Sequence, residues 1–250
     1  MVDIIGIDCS TEARNVGLAR FDSATERIVD VVCGGRDLVD QVESWIHNSD
    51  QTLLALDAPL GWPASFSELA SHNAGERVAT NREDTFNRIT DRFVYSKLGQ
   101  TPLRVGADRI AMTAHWALEF LDNLMHRLGL SIPLAWDSDF AEKVAVIEVY
   151  PAATLRSCGM PYSGYKKATR ECSDVREWIL KALQREIDVS NVTDALVRDA
   201  DLLDGAVCCL GGLDFIHDRC FTPPLRSIGL VKKEGWIWVR RTSSQPLSLS

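Results

Sequence analysis

The chain of 250 residues has no apolar run long enough to cross a bilayer, no zinc-type cysteine pattern and no stripe of basic residues. The longest apolar candidates lie around Leu202 to Ile216, and Asp204 and Asp214 interrupt them, which excludes a transmembrane helix there. The opening MVDIIGIDCS has no basic region before its short apolar run, so no signal peptide is expected, and the protein is expected in the cytoplasm. Seven cysteines are an odd number, Cys208 and Cys209 are adjacent, and no CxxC or cysteine–histidine cluster has zinc-ligand spacing. Reduced thiols packed in the core are expected. A net charge of -8 without clustered Lys and Arg excludes a protein that coats nucleic acid through a broad cationic face. An enzyme that meets a phosphate ester at one local site stays open, and a carboxylate metal site would itself contribute acidic surplus.

What is present is ordinary globular material, 46% hydrophobic and 25% charged, without internal repeats or low complexity. Val2 to Asp8 is a near-continuous apolar run, as in a strand covered on both faces. Val16 to Phe21 and Arg27 to Cys33 are further strands, Asp37 to His47 has helical spacing, and Thr52 to Asp57 is a fourth strand. The order is thus β-β-β-α-β. Helices are expected over Glu83 to Leu98 and Ala107 to Leu128, and KVAVIEV, Lys143 to Val149, is a buried strand ended by Tyr150-Pro151. A helix from Glu171 to Arg185 and one from Thr193 to about Ile216 follow, and SIGLVKKEGWIWVRR predicts a C-terminal hairpin turning at Lys233-Glu234-Gly235. The expected organisation is one α/β domain over residues 1–241, with a helical insertion at about 64–142 and a mobile tail at 242–250.

Three strands share an oddity. IIGID ends at Asp8, LLALD at Asp57 and VAVIE at Glu148. Taken singly, an aspartate at a strand end is commonly a turn residue or a cap. Together, if the strands are parallel neighbours roughly 5 Å apart, the acids share one edge of the sheet. Like charges gathered there are unfavourable unless protons or cations neutralise them, and oxygen-only ligands suit Mg2+ or Mn2+, as one ion or a pair. In DADLLDGAVCCLGG, Asp201 and Asp204 stand about one helical turn apart, and Asp204, Gly205, Cys208, Gly211 and Gly212 form a side with little bulk. Such a helix can lie close on a sheet and deliver Asp204 to the same edge.

The segments GIDCS, LALDAPLGWP, RITDRFVY, EVYPAATL, GYKK, DADLLDGAVCCLGG and EGWIWV, taken in order, resemble the DUF429 family, described as predicted nucleases with a ribonuclease H-like fold. The resemblance implies a mixed sheet with a β-β-β-α-β-α core flanked by helices. It implies Asp8, Asp57 and Asp204 as ligands of two Mg2+ or Mn2+ ions, Asp201 as an accessory ligand, and Glu148 as a further ligand or a base that orients water. The implied reaction is hydrolysis of a phosphodiester of nucleic acid or of a nucleotide. Arg88, Arg92 and Lys166 are the basic candidates for holding substrate, while surface ion pairs are the plain alternative for the two arginines.

Two other readings are open on the sequence. IDCSTEARNVGLA is similar to the first hairpin of actin-like ATP-dependent phosphotransferases, but a second glycine-rich phosphate loop is missing, and LDAPLGWP has proline where amide donors are needed. A non-catalytic module that binds nucleic acid or a nucleotide is the other.

Overall fold

Five strands form one sheet in the computed structural model, which describes residues 1–242 apart from Arg36, His72, Glu76, Val78, Ala79 and Ala107. In chain order the elements are β1 (Val2–Asp8), β2 (Gly17–Asp22), β3 (Arg27–Cys33), α1 (Leu38–His47), β4 (Gln51–Asp57), α2 (Phe66–Ala70), α3 (Arg82–Phe86), α4 (Ile89–Leu98) and α5 (Asp108–Leu128), followed by β5 (Val144–Glu148), α6 (Pro151–Ser157), α7 (Arg170–Leu183), α8 (Thr193–Arg198), α9 (Ala200–Ile216) and α10 (Ile228–Glu234). The strand order is β3-β2-β1-β4-β5. β2 pairs antiparallel with both β1 and β3, and β4 and β5 run parallel to β1. That combination, a meander of three strands extended on one side by parallel strands, is the ribonuclease H-like sheet. No helix among the described residues is long and apolar enough to cross a membrane.

The period of two along each strand sorts its side chains between two cores. Ile4, Leu53, Ala55, Ala145 and Ile147 face the layer that contains α7 and α9. Ile5, Ile7, Leu54, Leu56, Val144 and Val146 face the layer of α1 and α5, with Trp45 and Phe120. β1, β4 and β5 are apolar nearly throughout because both of their faces are covered.

α9 is the innermost helix, and its glycine-rich side lies on the sheet. A Cβ on Gly6 would overlap the Gly205 carbonyl and stand 2.8 Å from the Cys209 amide nitrogen, and one on Gly17 would overlap the Asp201 carbonyl. Backbone therefore touches backbone, which only glycine permits. The opposite side, with Leu196 of α8 and Leu203, Val207 and Leu210 of α9, is fully buried core.

Four expectations are corrected. The C-terminal hairpin does not form, because Ile228, Val231 and Glu234 recur at helical spacing and make α10, with Val231 and Glu234 buried. Gly235, at φ 87°, ends that helix, and the extended arm after it joins the fold through bridges of Ile237 to Glu148 and Arg240 to Cys220. The helix expected over Glu83 to Leu98 is two, broken where Arg88 becomes extended and its N–H donates to the Asp91 carboxylate at 2.9 Å. The helix expected from Thr193 breaks at Asp199, whose side chain accepts from the Asp201 and Leu202 amides and so starts α9 afresh. The cysteines are free, but Cys33 is exposed and Cys158 and Cys172 are half-buried, so core packing holds for Cys9, Cys208, Cys209 and Cys220. The expected tail lies outside the described residues from 243 onward.

Candidate metal centre

Asp8 and Asp57 are directly paired in the β1–β4 ladder, at the ends where both parallel strands finish. They continue the rows Ile4, Gly6 and Leu53, Ala55, so both carboxylates stand on the α9 side of the sheet. Asp204 comes down from α9, whose approach the glycines allow. One carboxylate oxygen from each of Asp8, Asp57 and Asp204 lies within 4.8 Å of the others. Asp204 is fully buried and Asp8 nearly so.

Burial pushes the Asp8 carboxyl well above its ordinary range, and the charges of Asp57 and Asp201 push the same way, while Lys166 opposes them. Burial likewise raises Asp57 to about 6 against the pull of Lys166, with Glu148 adding to the rise. The donor set fits a hard divalent cation, since it offers only carboxylate oxygens at converging distances. Asp204 adds a second sign: its Oδ1 accepts the Tyr165 hydroxyl at 2.8 Å, whereas its Oδ2 has no well-directed hydrogen bond and is met by the Lys166 ammonium. That ammonium is also 3.9 Å from Asp8 Oδ2 and brings positive charge to the cluster.

The other expected site residues fall into distinct places. Asp201 is half-buried one turn before Asp204 and is also raised, chiefly by burial and then by Asp199. Glu148 pairs in register with Leu56, not with Asp57, and therefore leaves β5 one residue out of phase with the Asp8–Asp57 row. Its carboxylate is held instead by Arg88, at 2.6 and 2.8 Å, and by the Leu60 amide at 3.2 Å. Arg88 is not a surface group: it is buried and makes five bonds, to both oxygens of Glu148, both of Asp91 and the Glu234 carbonyl. Five is the full donor capacity of a guanidinium, which leaves none to direct at a substrate. Arg92 is exposed and pairs with Asp84 at 2.9 Å, the plain surface alternative. Of the three basic candidates, Lys166 is the one that faces the carboxylates.

Two residues that matter here carry no sequence signal of their own. Tyr165 sits in a polar loop without periodicity, yet it is buried and holds Asp204. Arg176 on α7 reaches back to the Tyr165 and Lys167 carbonyls and straps the loop that presents Lys166. The GYKK match points to the loop but not to this clamp.

The raised Asp57 gives a test with a defined sign. The folded protein holds this proton more tightly than the unfolded chain, so the group's contribution to stability is full below about pH 4 and is lost as pH rises through about 6. One pKa unit corresponds to ~1.4 kcal/mol. Asp3 and Glu186 are held below their ordinary values and act in the opposite sense, so the comparison must isolate Asp57. Metal-free Asp57→Asn is expected to gain on the wild type in thermal midpoint as pH goes from 4.5 to 7.5. A difference that stays flat over that range would contradict the buried, raised carboxyl.

The family model described as "Protein of unknown function (DUF429)" matches residues 6–226. No curated protein matches the chain in sequence. Among solved structures, "T. thermophilus RuvC in complex with Holliday junction substrate" aligns with a TM-score of 0.32 and 10% identity, over 86% of this chain and 98% of that chain.

Proposed function

The chain belongs to the DUF429 family, and we propose its activity from the site: a divalent-metal-dependent phosphodiester hydrolase, nuclease-like in chemistry. The observation that carries this reading is the convergence of Asp8, Asp57 and Asp204, from two strand ends and a helix, within 4.8 Å. Three acids at that separation repel one another, and a divalent cation would relieve the repulsion beyond what the single Lys166 ammonium supplies.

In this reading Asp8, Asp57 and Asp204 hold Mg2+ or Mn2+, as a pair of ions, with Asp201 as an accessory ligand at the rim. A metal held there would supply Lewis acidity to a phosphodiester and a nucleophile at neutral pH. The remaining work belongs to the chain. Tyr165 fixes the orientation of Asp204, and Lys166 places an ammonium in the same space, where it neutralises charge on a phosphate oxygen. Glu148, anchored by Arg88, acts on the site through its charge beside Asp57 and shapes the turn at Leu60. The substrate is a nucleic-acid or nucleotide phosphodiester.

Calorimetric titration with Mn2+, combined with assays of oligonucleotides and bis(4-nitrophenyl) phosphate, tests the reading. Binding of Mn2+ and hydrolysis that EDTA abolishes are the expected results. A folded protein that takes up no Mn2+ or Mg2+ would sink it.

A further inference from the structure

Beside the carboxylates opens a cavity of about 510 Å3. Its lining includes Asp57, Asp204 and Lys166. It also includes an apolar and aromatic stretch of wall from Pro102, Leu103, Ile110, Tyr150 and Tyr162. Leu103 is 69% exposed and Tyr162 37% exposed, although both are large apolar side chains lining a recess. One face of the Tyr162 ring is backed by the Arg156 guanidinium, 4.8 Å from the ring centroid. The backing holds the ring in place and leaves its other face available for stacking. Tyr150 is held in turn by Gln100, which donates to its hydroxyl at 3.2 Å.

We infer that this wall receives one unpaired nucleoside next to the scissile phosphate, so that the substrate is single-stranded nucleic acid rather than a duplex. The inference rests on the hydrolase reading above and sharpens its substrate. The cavity has the size of sites that enclose one small ligand, typically about 300–1,000 Å3. A planar base offers two apolar faces, which fits a wall of rings and aliphatic carbon set beside a phosphate-handling edge. Charge points the same way. A duplex is gripped mainly through its phosphates by clustered cations, and this chain, at -8, has no such stripe. A strand held through a stacked base and a metal-bound phosphate needs fewer basic contacts.

The test uses the full chain and one oligonucleotide sequence, offered single-stranded or fully paired. With Mn2+ the single strand is expected to be hydrolysed at least about tenfold faster. Tyr162→Ala and Leu103→Ser are each expected to raise its KM by about 5–100-fold, the range that loss of a base-stacking contact produces, with Mn2+ affinity by calorimetry unchanged. Equal rates on the two forms, or variants whose KM stays within twofold, would overturn the inference. Binding of fluorescent oligonucleotides in Ca2+ separates this question from catalysis. If nothing is hydrolysed, the hydrolase reading fails, while single-strand preference lost in Tyr162→Ala upholds the pocket and its absence removes it. A free mononucleotide that binds as tightly as the strand would also count against the inference.

Discussion

Asp8→Asn is expected to abolish metal-dependent hydrolysis and weaken Mn2+ binding, while raising the thermal midpoint of the metal-free protein. The opposing directions are the point. Asp8 is nearly buried, its carboxyl is raised by burial, and Asp57 and Asp201 add like charge, so as a structural residue it is unfavourable. Asparagine keeps the shape and removes one of the mutually repelling groups. As a ligand the same residue is hard to replace, because an amide oxygen carries no formal charge. Changes outside the first ring of ligands typically cost about 10–100-fold in metal affinity or activity. Loss of a direct ligand from a cluster of three should exceed that. Calorimetry with Mn2+, thermal unfolding with EDTA and a phosphodiester assay measure the three effects. A variant that still binds Mn2+ as tightly as the wild type would remove Asp8 from the centre.

The second large effect is on stability, at Arg88. Arg88→Met leaves Glu148 and Asp91 buried without the guanidinium that bonds both oxygens of each. Breaking a buried pair from one side costs about 3–5 kcal/mol, because the remaining charge stays uncompensated. For a domain of this size that is roughly 6–20 °C in thermal midpoint. The loss is expected to be larger at pH 8 than at pH 5, since the stranded carboxyls relieve part of it by taking up protons. Adding Glu148→Gln should restore part of the midpoint, because it removes one of the unpaired charges. A single variant as stable as the wild type at pH 8 would show that the network contributes nothing to the fold.

The frame of this fold could be read from the chain because β1, β4 and β5 are covered on both faces and so appear as unbroken apolar runs. The meeting of Asp8 with Asp57 was legible for a related reason: each ends such a run, and parallel strands finish at one edge. Glu148 looked like a third member of that row, but its phase depends on the β4–β5 register, which pairs it with Leu56. A register is a property of two strands together and is not written in either one. Arg88 was misplaced for the same kind of reason. Its spacing from Arg92 suits a helix surface, whereas its bonds to Glu148 cross sixty residues of sequence. The helix breaks at Arg88 and Asp199 also depend on single side-chain bonds that override a continuous apolar period.

The close seating of α9 on β1 bears on the order in which the protein becomes competent during synthesis. Asp8 and Asp57 precede Asp204 by roughly 150 residues or more and leave the ribosome before it. The centre is completed by one of the last long helices, whose backbone meets the sheet at Gly6 and Gly17. An unfinished chain therefore holds two acids without the third, so the three-carboxylate cluster is complete only when most of the molecule has been made.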